Sequence, residues 1–353
     1  MFTMEAMMGT ITVQKPGLLT TVQDLGRRGR QRFGVTVGGA MDPLALRIAN
    51  ILLGNQEGAA GLEITVLGPK LQFQSEMSFI ITGAELSPRL DGASLSNWKP
   101  YRATAGSVLE FGRCVLGCRA YVAVSGGIDV PEVLGSRSTF LKGEFGGYHG
   151  RPLRAGDELQ TGDELQTFEG SRLDINSDTW FDRDLTFASN YSLAEPIRLM
   201  LGPQDDRFTE NAFQALVSGE YQITTDSDRM GYRLKGPELE HVDNADIISD
   251  YIACGSIQVP KNGQPIILMA DRQTSGGYTK IGTVIKVDIP RLAQAKPGNR
   301  IQFQIVSADE ALQLYRQQEE RLNSLRLEVG KVFSKSSTLA SQNPPTAKLG
   351  IFL

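Results

Sequence analysis

Apolar residues recur along most of the chain in short runs, broken by Gly, Pro, Asp and Asn. The runs KLQFQ (70–74), MSFIITGA (77–84), SVLEFG (107–112), AYVAVSG (120–126), PIILMA (265–270), TVIKVDI (283–289) and NRIQFQIV (299–306) each read as a strand. Helical periodicity is confined to three places. In PLALRIANILL (43–53), Ala45, Ile48, Ala49 and Leu52 share one face, Asp42 offers an N-cap carboxylate, Pro43 suits the first turn and Gly54 the left-handed position after the last. A second helix is predicted near 208–218, ending at Gly219 by the same logic. A third is amphipathic, over about 308–328, and SKSSTLASQNPPTAKLGIFL (334–353) reads as a loose tail. Too few helices separate the strands for a doubly wound parallel sheet. The pattern predicts a mainly β protein built of barrels or sandwiches, each carrying a helix.

A weak internal repeat divides the chain. A helix ending in Gly is followed by LEITVLGPKLQF in the first half and by YRLKGPELE in the second, so Gly68-Pro69 and Gly236-Pro237 hold matching places. Further on, YVAVSGGIDV…PLRAGDELQ (121–160) parallels IILMADRQTSGG…AKPGNRIQF (266–303). Two related β domains are expected, over 9–195 and 196–308, joined by the polar stretch 170–195 and followed by a helix and tail over 309–353. GDELQ at 156–160 recurs at 162–166 as a small local duplication.

Composition narrows the chemistry. A net charge of −4 argues against non-specific nucleic-acid binding, and no apolar run approaches the roughly 20 residues that span a bilayer. The start has no basic residue ahead of an apolar core, so no secretory signal is expected. Cys114, Cys118 and Cys254, an odd and sparse set, suit a reduced cytoplasmic compartment rather than a disulfide framework, and no histidine completes a zinc site around C-x3-C. His149 and His241 are the only histidines, and neither lies in a nucleophile motif, so both are expected to be exposed or structural. Carboxylates, Lys, Arg and backbone amides are left to carry any chemistry.

Three segments concentrate such groups. In DRQTSGGYTKIG (271–282), Asp271, Arg272, Gln273, Thr274, Tyr278 and Lys280 surround Gly276 and Gly277, which would let backbone amides approach an anion or amide. It is no Walker loop, because a strand follows it. In SGGIDVPEVLGSRSTFLKGEFGGYHGR (125–151), Arg137 and Lys142 lie among glycines. In TVQDLGRRGRQRFGVTVGGAMD (21–42), Asp24 and Arg27 accompany a run of arginines, and Gly38-Gly39 precede the helix. An anion at that helix N-terminus would be repelled by Asp42, which is more simply the cap. Glu63, an acid in a strand pattern, is expected to face outward.

Together, VQDLGRRGRQRFGV, GGAMDPLALRIANILLGN, LEITVLGPKLQF, GGIDVPEVLGSRSTFLKGEFGGYHGRPLRAGD and ADRQTSGGYTKIGTVIKVDIPRLAQAKPGNRIQF resemble the biotin-dependent carboxyltransferase (allophanate hydrolase subunit 2) family over about residues 9–308. Its members include the C subunit of 5-oxoprolinase, also called the antagonist of the kinase inhibitor KipI, and the carboxyltransferase region of urea carboxylase. The resemblance implies two cyclophilin-like β barrels with a site in the cleft between them. It implies work alongside the B (KipI-like) and A subunits of 5-oxoprolinase on a small-molecule substrate, 5-oxoproline, with ATP and Mg2+ bound by or shared with one of these partners. The residues carried over are Asp271, Arg272, Lys280 and Lys142 for catalysis, and Asp24, Arg27, Arg137, Gln273, Thr274, Gly276, Gly277 and Tyr278 for binding, with no metal ligands. Family members also support two other roles, a carboxyltransferase acting on a urea-like acceptor and a non-enzymatic antagonist of a histidine-kinase inhibitor. No Met-Lys-Met acceptor is present, so biotin would have to arrive on another chain.

Overall fold

The computed structural model describes residues 9–162 and 185–342. The start of the chain, most of the expected join and of the second GDELQ copy, and the end of the expected tail lie outside them. The fold is mainly β. In the first half, one sheet runs in the order Ile128–Asp129, Glu158–Thr161, Thr10–Lys15, Lys70–Phe73, Val108–Phe111, Pro88–Leu90, Ala93–Ser94. The other runs Leu19–Gln23, Gly61–Thr65, Leu116–Val124, Met77–Glu85, Pro100–Ala103, and every pairing in both is antiparallel. Between them lies a core that includes Ile11, Leu62, Ile64, Phe73, Phe79, Val122 and Leu159.

Period-two alternation gives the second sheet another apolar face. Ile80 and Ala123 point away from the core, toward helix α1 (Pro43–Leu52). That helix forms as its sequence predicts. The Asp42 carboxylate accepts from the Ala45 amide at 3.0 Å, Pro43 occupies the first turn, and Gly54 takes φ +73°.

The second half is an eight-stranded sheet in the order Arg300–Ile301, Tyr221–Ile223, Gly231–Lys235, Ile266–Leu268, Ser256–Gln258, Lys280–Val284, Ile197–Leu201, Phe303–Ile305. Its two end strands are successive pieces of one chain segment, so the sheet curls almost into a closed barrel. Its own core includes Leu199, Tyr221, Ile257, Ile267, Ile281 and Phe303. A separate two-stranded ribbon, Asp246–Tyr251 with Ser275–Tyr278, stands off this barrel.

Short helices complete the architecture: α2 (Thr186–Ser189), α3 (Glu210–Ser218) and α4 (Ile289–Ala293). Three sequence-based expectations need correction here. The run TVIKVDI is not one strand: its strand begins earlier, at Lys280, and a 3-10 turn at Lys286–Asp288 leads into α4. Helix α3 ends at Gly219 as expected, but that glycine is extended at φ −82° rather than left-handed; at the other end Thr209 caps the Ala212 amide. A Cβ at Gly219 would lie 2.4 Å from the Ala215 carbonyl oxygen, so close packing requires this glycine. Finally, α5 (Ala308–Gln342) outruns the expected 308–328.

Helix α5 is anchored on α1. Leu322, Leu325 and Val329 enter the apolar cluster of Leu44, Ile48 and Leu52, and Arg47 makes paired hydrogen bonds of 2.6 and 2.8 Å to Glu319. Leu322 is fully buried, so Leu322→Ala should cost about 2–5 kcal/mol. The loss would appear as a lower thermal midpoint with faster amide exchange in residues 308–331; unchanged exchange there would show that α5 is held otherwise.

Candidate functional site

The two halves meet along a buried polar seam, and its centre is Arg229. This side chain, 7% exposed, donates through Nε and Nη2 to the two Asp271 carboxylate oxygens at 2.8 and 3.0 Å. Its Nη1 bonds Glu63 Oε1 and its Nη2 reaches the Gly39 carbonyl at 2.6 Å. Burial alone would lower the pKa of the Arg229 guanidinium, but the charges of Asp271 and Glu63 outweigh it and raise it.

Glu63 is therefore not outward-facing, as its strand pattern suggested. Leu62 and Ile64 enter the barrel core, and Glu63 points to the opposite face, which the second half covers. Its second oxygen accepts from the Met41 amide at 2.8 Å and the Tyr121 hydroxyl at 2.7 Å. Burial pushes the Glu63 carboxyl up, but Arg229, Arg119 and these two donors hold it below its usual value.

Gln294 forms a second seam contact. Its Oε1 accepts the Cys118 and Arg119 amides, both at 2.9 Å, while Nε2 donates to Asp42 Oδ2 at 3.1 Å and the Arg119 carbonyl at 2.9 Å. Arg119 Nη1 in turn donates to the Tyr232 hydroxyl and the Ala293 carbonyl. Burial raises the Asp42 carboxyl, opposite to Glu63, because Asp42 has no cation among its direct partners.

Over this floor lies the glycine-rich segment after Arg27. Gly38 N donates to the Ala270 carbonyl at 3.2 Å and Thr36 Oγ1 to the Arg272 carbonyl at 2.7 Å, so the segment bridges the halves. Arg27 is fully buried, with its guanidinium 4.9 Å from the Phe145 ring centre and bonded to the Ser138 carbonyl. Its Nη1 has no hydrogen-bond partner. Desolvation lowers the Arg27 pKa, while Asp24 and Asp271 act to raise it.

The structure sorts the sequence-predicted residues into groups. Arg27 and Asp271 come together at Gly38, and Lys142 lies at the rim, its exposed ammonium 3.9 Å from the Met230 sulfur beside Arg229. Asp24 sits behind them, accepting from the Gly26 and Arg137 amides and the Ser136 and Ser138 hydroxyls, and so shapes the loop that carries Lys142. The Arg137 side chain turns away to the Val130 carbonyl and lies 3.7 and 3.8 Å from Asp129 and Glu132. Arg272 is buried against the Ile252 and Met269 carbonyls. Lys280 is also buried, its ammonium 2.7 Å from Asp250 of the ribbon. Gln273 reaches Gln258, and the Thr274 carbonyl accepts the Ile252 amide. Gly276, Gly277 and Tyr278 are ribbon residues rather than part of a wide loop.

Arg229 and Gln294 escaped sequence reasoning, although Arg229 stands in the charged stretch DSDRMGYR (226–233) and Gln294 in IPRLAQAKPG (289–298). Glu63 carried the one available signal, an acid flanked by two barrel-core residues. His149 is exposed, and His241 contacts Thr279 Oγ1. Among the described residues no group of three or more His, Cys, Asp and Glu could hold a metal ion, and no helix is long and apolar enough to cross a membrane.

With this geometry in view, comparison with known proteins assigns the class. The chain belongs to the carboxyltransferase domain family (subdomains A and B), whose pattern matches residues 33–305. It is 40% identical over 306 residues to the 5-oxoprolinase C subunit of Haemophilus influenzae, covering 87% of this chain and 94% of that protein. The Escherichia coli protein of the same name is 38% identical over 317 residues, 89% of this chain and 97% of that one. The solved K. lactis urea amidolyase superposes on 90% of this chain with a TM-score of 0.79 at 29% identity, but the match covers only 20% of that larger protein.

Glu63→Gln tests the seam. Removing one carboxylate from a buried ionic cluster should cost about 3 kcal/mol near neutral pH. Because the folded Glu63 pKa is depressed, its contribution is present above the ordinary glutamate value of 4.5 and is lost as pH falls through the lower folded value. Denaturant unfolding of both proteins across that range should show the difference shrinking with acid; a constant difference would refute the assignment.

Proposed function

We propose that this chain is the C subunit of a 5-oxoprolinase assembly, which opens 5-oxo-L-proline to L-glutamate at the expense of ATP. The observation that carries this reading is the 40% identity running along 94% of the H. influenzae protein of that name. The seam is consistent with it, because it gathers cations and carboxylates where the two halves meet. The partners are the other subunits of that assembly, B (KipI-like) and A, and the proposed compartment is the cytoplasm. ATP, with Mg2+, is bound by or shared with a partner.

A lactam is a poor electrophile. In the proposed reaction ATP phosphorylates the exocyclic carbonyl oxygen and leaves as ADP, water adds at the carbonyl carbon, the ring C–N bond breaks with protonation of nitrogen to give an acyl phosphate, and a second water hydrolyses that to glutamate and phosphate. Such chemistry asks the protein mainly for positioned charge. Lys142 at the rim balances the substrate carboxylate or phosphoryl oxygens, and Asp271 orients water or the ring N–H. Arg272 and Lys280, whose heads are engaged, position the segment between them. Gln273 and Thr274 line its approach.

The second reading is a carboxyltransferase acting on a urea-like acceptor, favoured by the likeness to the K. lactis urea amidolyase. Mixing the chain with its B and A partners and following ATP-dependent glutamate release separates the two. Release from 5-oxoproline is expected; transfer from carboxybiotin without it would replace the first reading by the second. Within the active assembly, Lys142→Ala should lower kcat/KM on the order of 10- to 100-fold with no change in thermal midpoint, since its side chain is exposed. Unaltered turnover would remove Lys142 from the site.

A further inference from the structure

A turn from the first half and a strand from the second form one exposed face. The turn follows the strand Leu19–Gln23. Its base is closed by the Arg27 amide donating to the Val37 carbonyl at 2.8 Å, and within it the Phe33 and Gly34 amides donate to the Arg30 and Gln31 carbonyls, both at 2.9 Å. Gly29 and Gly34 take φ +77° and +75°, the left-handed geometry that lets the chain reverse so tightly. The turn carries Arg28, Arg30 and Arg32, all exposed, and among the described residues none of the three has an ion-pair partner. The Arg32 guanidinium lies 4.7 Å from the ring centre of its neighbour Phe33. The strand is Asp246–Tyr251 of the ribbon. Asp246 pairs with Tyr278 and Asp250 with Gly276, so Ile247, Ile248 and Ser249 stand opposite Gly277 alone. Such a bulge re-aims side chains, and Ile248 is left 95% exposed. Gln31 Nε2 donates to the Tyr251 hydroxyl at 3.3 Å, which sets turn and ribbon side by side. Phe33 and Tyr251 are themselves more than half exposed.

We infer that this face docks a folded protein partner whose surface is apolar at its centre and acidic at its rim. The inference rests on the proposed function for the partner's identity, a subunit of the same assembly, but not for the surface. Arg, Tyr and Phe are the types that protein interfaces enrich, while Lys and Glu are depleted there. Single exposed apolar residues are ordinary, but here Phe33, Tyr251 and Ile248 come from two segments joined by a hydrogen bond. Charge sets the partner's sign. The chain has a net charge of −4, yet this turn concentrates three unopposed cations. The ribbon acid beside Tyr251, Asp250, is already taken by Lys280 at 2.7 Å, so carboxylates have to come from the partner. A small anion would leave Ile248 and the two rings in water, whereas a protein surface buries them. Little ordering is needed on docking, because the turn is closed by its own backbone bonds. The turn also runs on into the segment that bonds Ala270 and Arg272, so a partner seated here spans both halves and clamps the seam that holds Asp271.

The test is calorimetric titration of the full chain with the B subunit and with the A subunit, separately, at low and at high salt. Three variants are compared with the unaltered chain: the charge reversal Arg28→Glu/Arg30→Glu/Arg32→Glu, Ile248→Asp, and Leu18→Asp. Leu18 is also exposed, but it lies at the opposite end of the strand Leu19–Gln23 from the turn. All these side chains face solvent, so each variant should keep the thermal midpoint of the unaltered chain. The unaltered chain is expected to bind one of the two subunits, more weakly as salt rises. The charge reversal should weaken that binding on the order of 100-fold and remove its loss with salt, and Ile248→Asp should weaken it on the order of 10-fold or more. Leu18→Asp should bind as the unaltered chain does. Full affinity in both the charge reversal and Ile248→Asp overturns the inference, as does binding of neither subunit by the unaltered chain. Self-association in sedimentation that the same variants abolish, with no subunit bound, assigns the face to a second copy and also overturns it. If the variants assemble normally and the assembly releases glutamate, the docking face fails and the proposed function stands. If the variants block assembly but the intact assembly releases no glutamate, the function fails and the docking face stands.

Discussion

A guanidinium sealed between two barrels governs this structure. Arg229 is nearly inaccessible to water, and leaving such a charge unpaired in the interior would cost several kcal/mol. It is tolerated because Glu63 comes from one half, Asp271 from the other, and the Gly39 carbonyl from the segment that crosses between them. Each partner is itself tied down, Glu63 by the Met41 amide and the Tyr121 hydroxyl. The relative placement of the halves is thus coupled to the state of one buried ionic cluster, and Asp271, a candidate site residue, is held by the same bonds that join the halves.

The neighbouring contacts extend this logic with neutral groups. Gln294 commits its whole amide to the seam, and Asp42 serves at once as the cap of α1 and as an acceptor for Gln294. A helix cap, ordinarily a local device, therefore also fixes the second barrel. Buried polar networks of this kind specify one arrangement when every member is satisfied. Not every member meets that condition: Arg27 Nη1 and Arg119 Nε are both buried without a hydrogen-bond partner.

Much of the fold was legible. Alternating apolar runs bounded by turn residues marked the strands, and Asp42, Pro43 and Gly54 marked α1, because these signals act within a few residues of one another. The errors fell where a distant contact overrode the local signal. Gly219 is extended rather than left-handed, and a Cβ there would lie 2.8 Å from Pro237 Cγ, a neighbour remote in sequence. Glu63 read as solvent-facing because alternation tells which two faces a strand has, not what covers the second one.

Of the candidate site, the sequence by itself determined the inventory: Asp24, Arg27, Lys142 and Asp271 were visible as charged residues in glycine-rich stretches, where backbone can approach a ligand. It also determined the family, through long motifs in order. Only the tertiary structure decided what each of these charges meets. Arg137, Arg272 and Lys280 look equivalent to Arg27 and Lys142 as letters, yet their cationic heads lie with Asp129 and Glu132, with backbone carbonyls, and with Asp250. Arg229 reads as one more charge in DSDRMGYR (226–233), and its role is invisible locally because its partners lie 42 and 166 positions away along the chain. The physical reason is that a charge's role depends on its partners and its solvent exposure, and both are set by packing between segments that the chain keeps far apart.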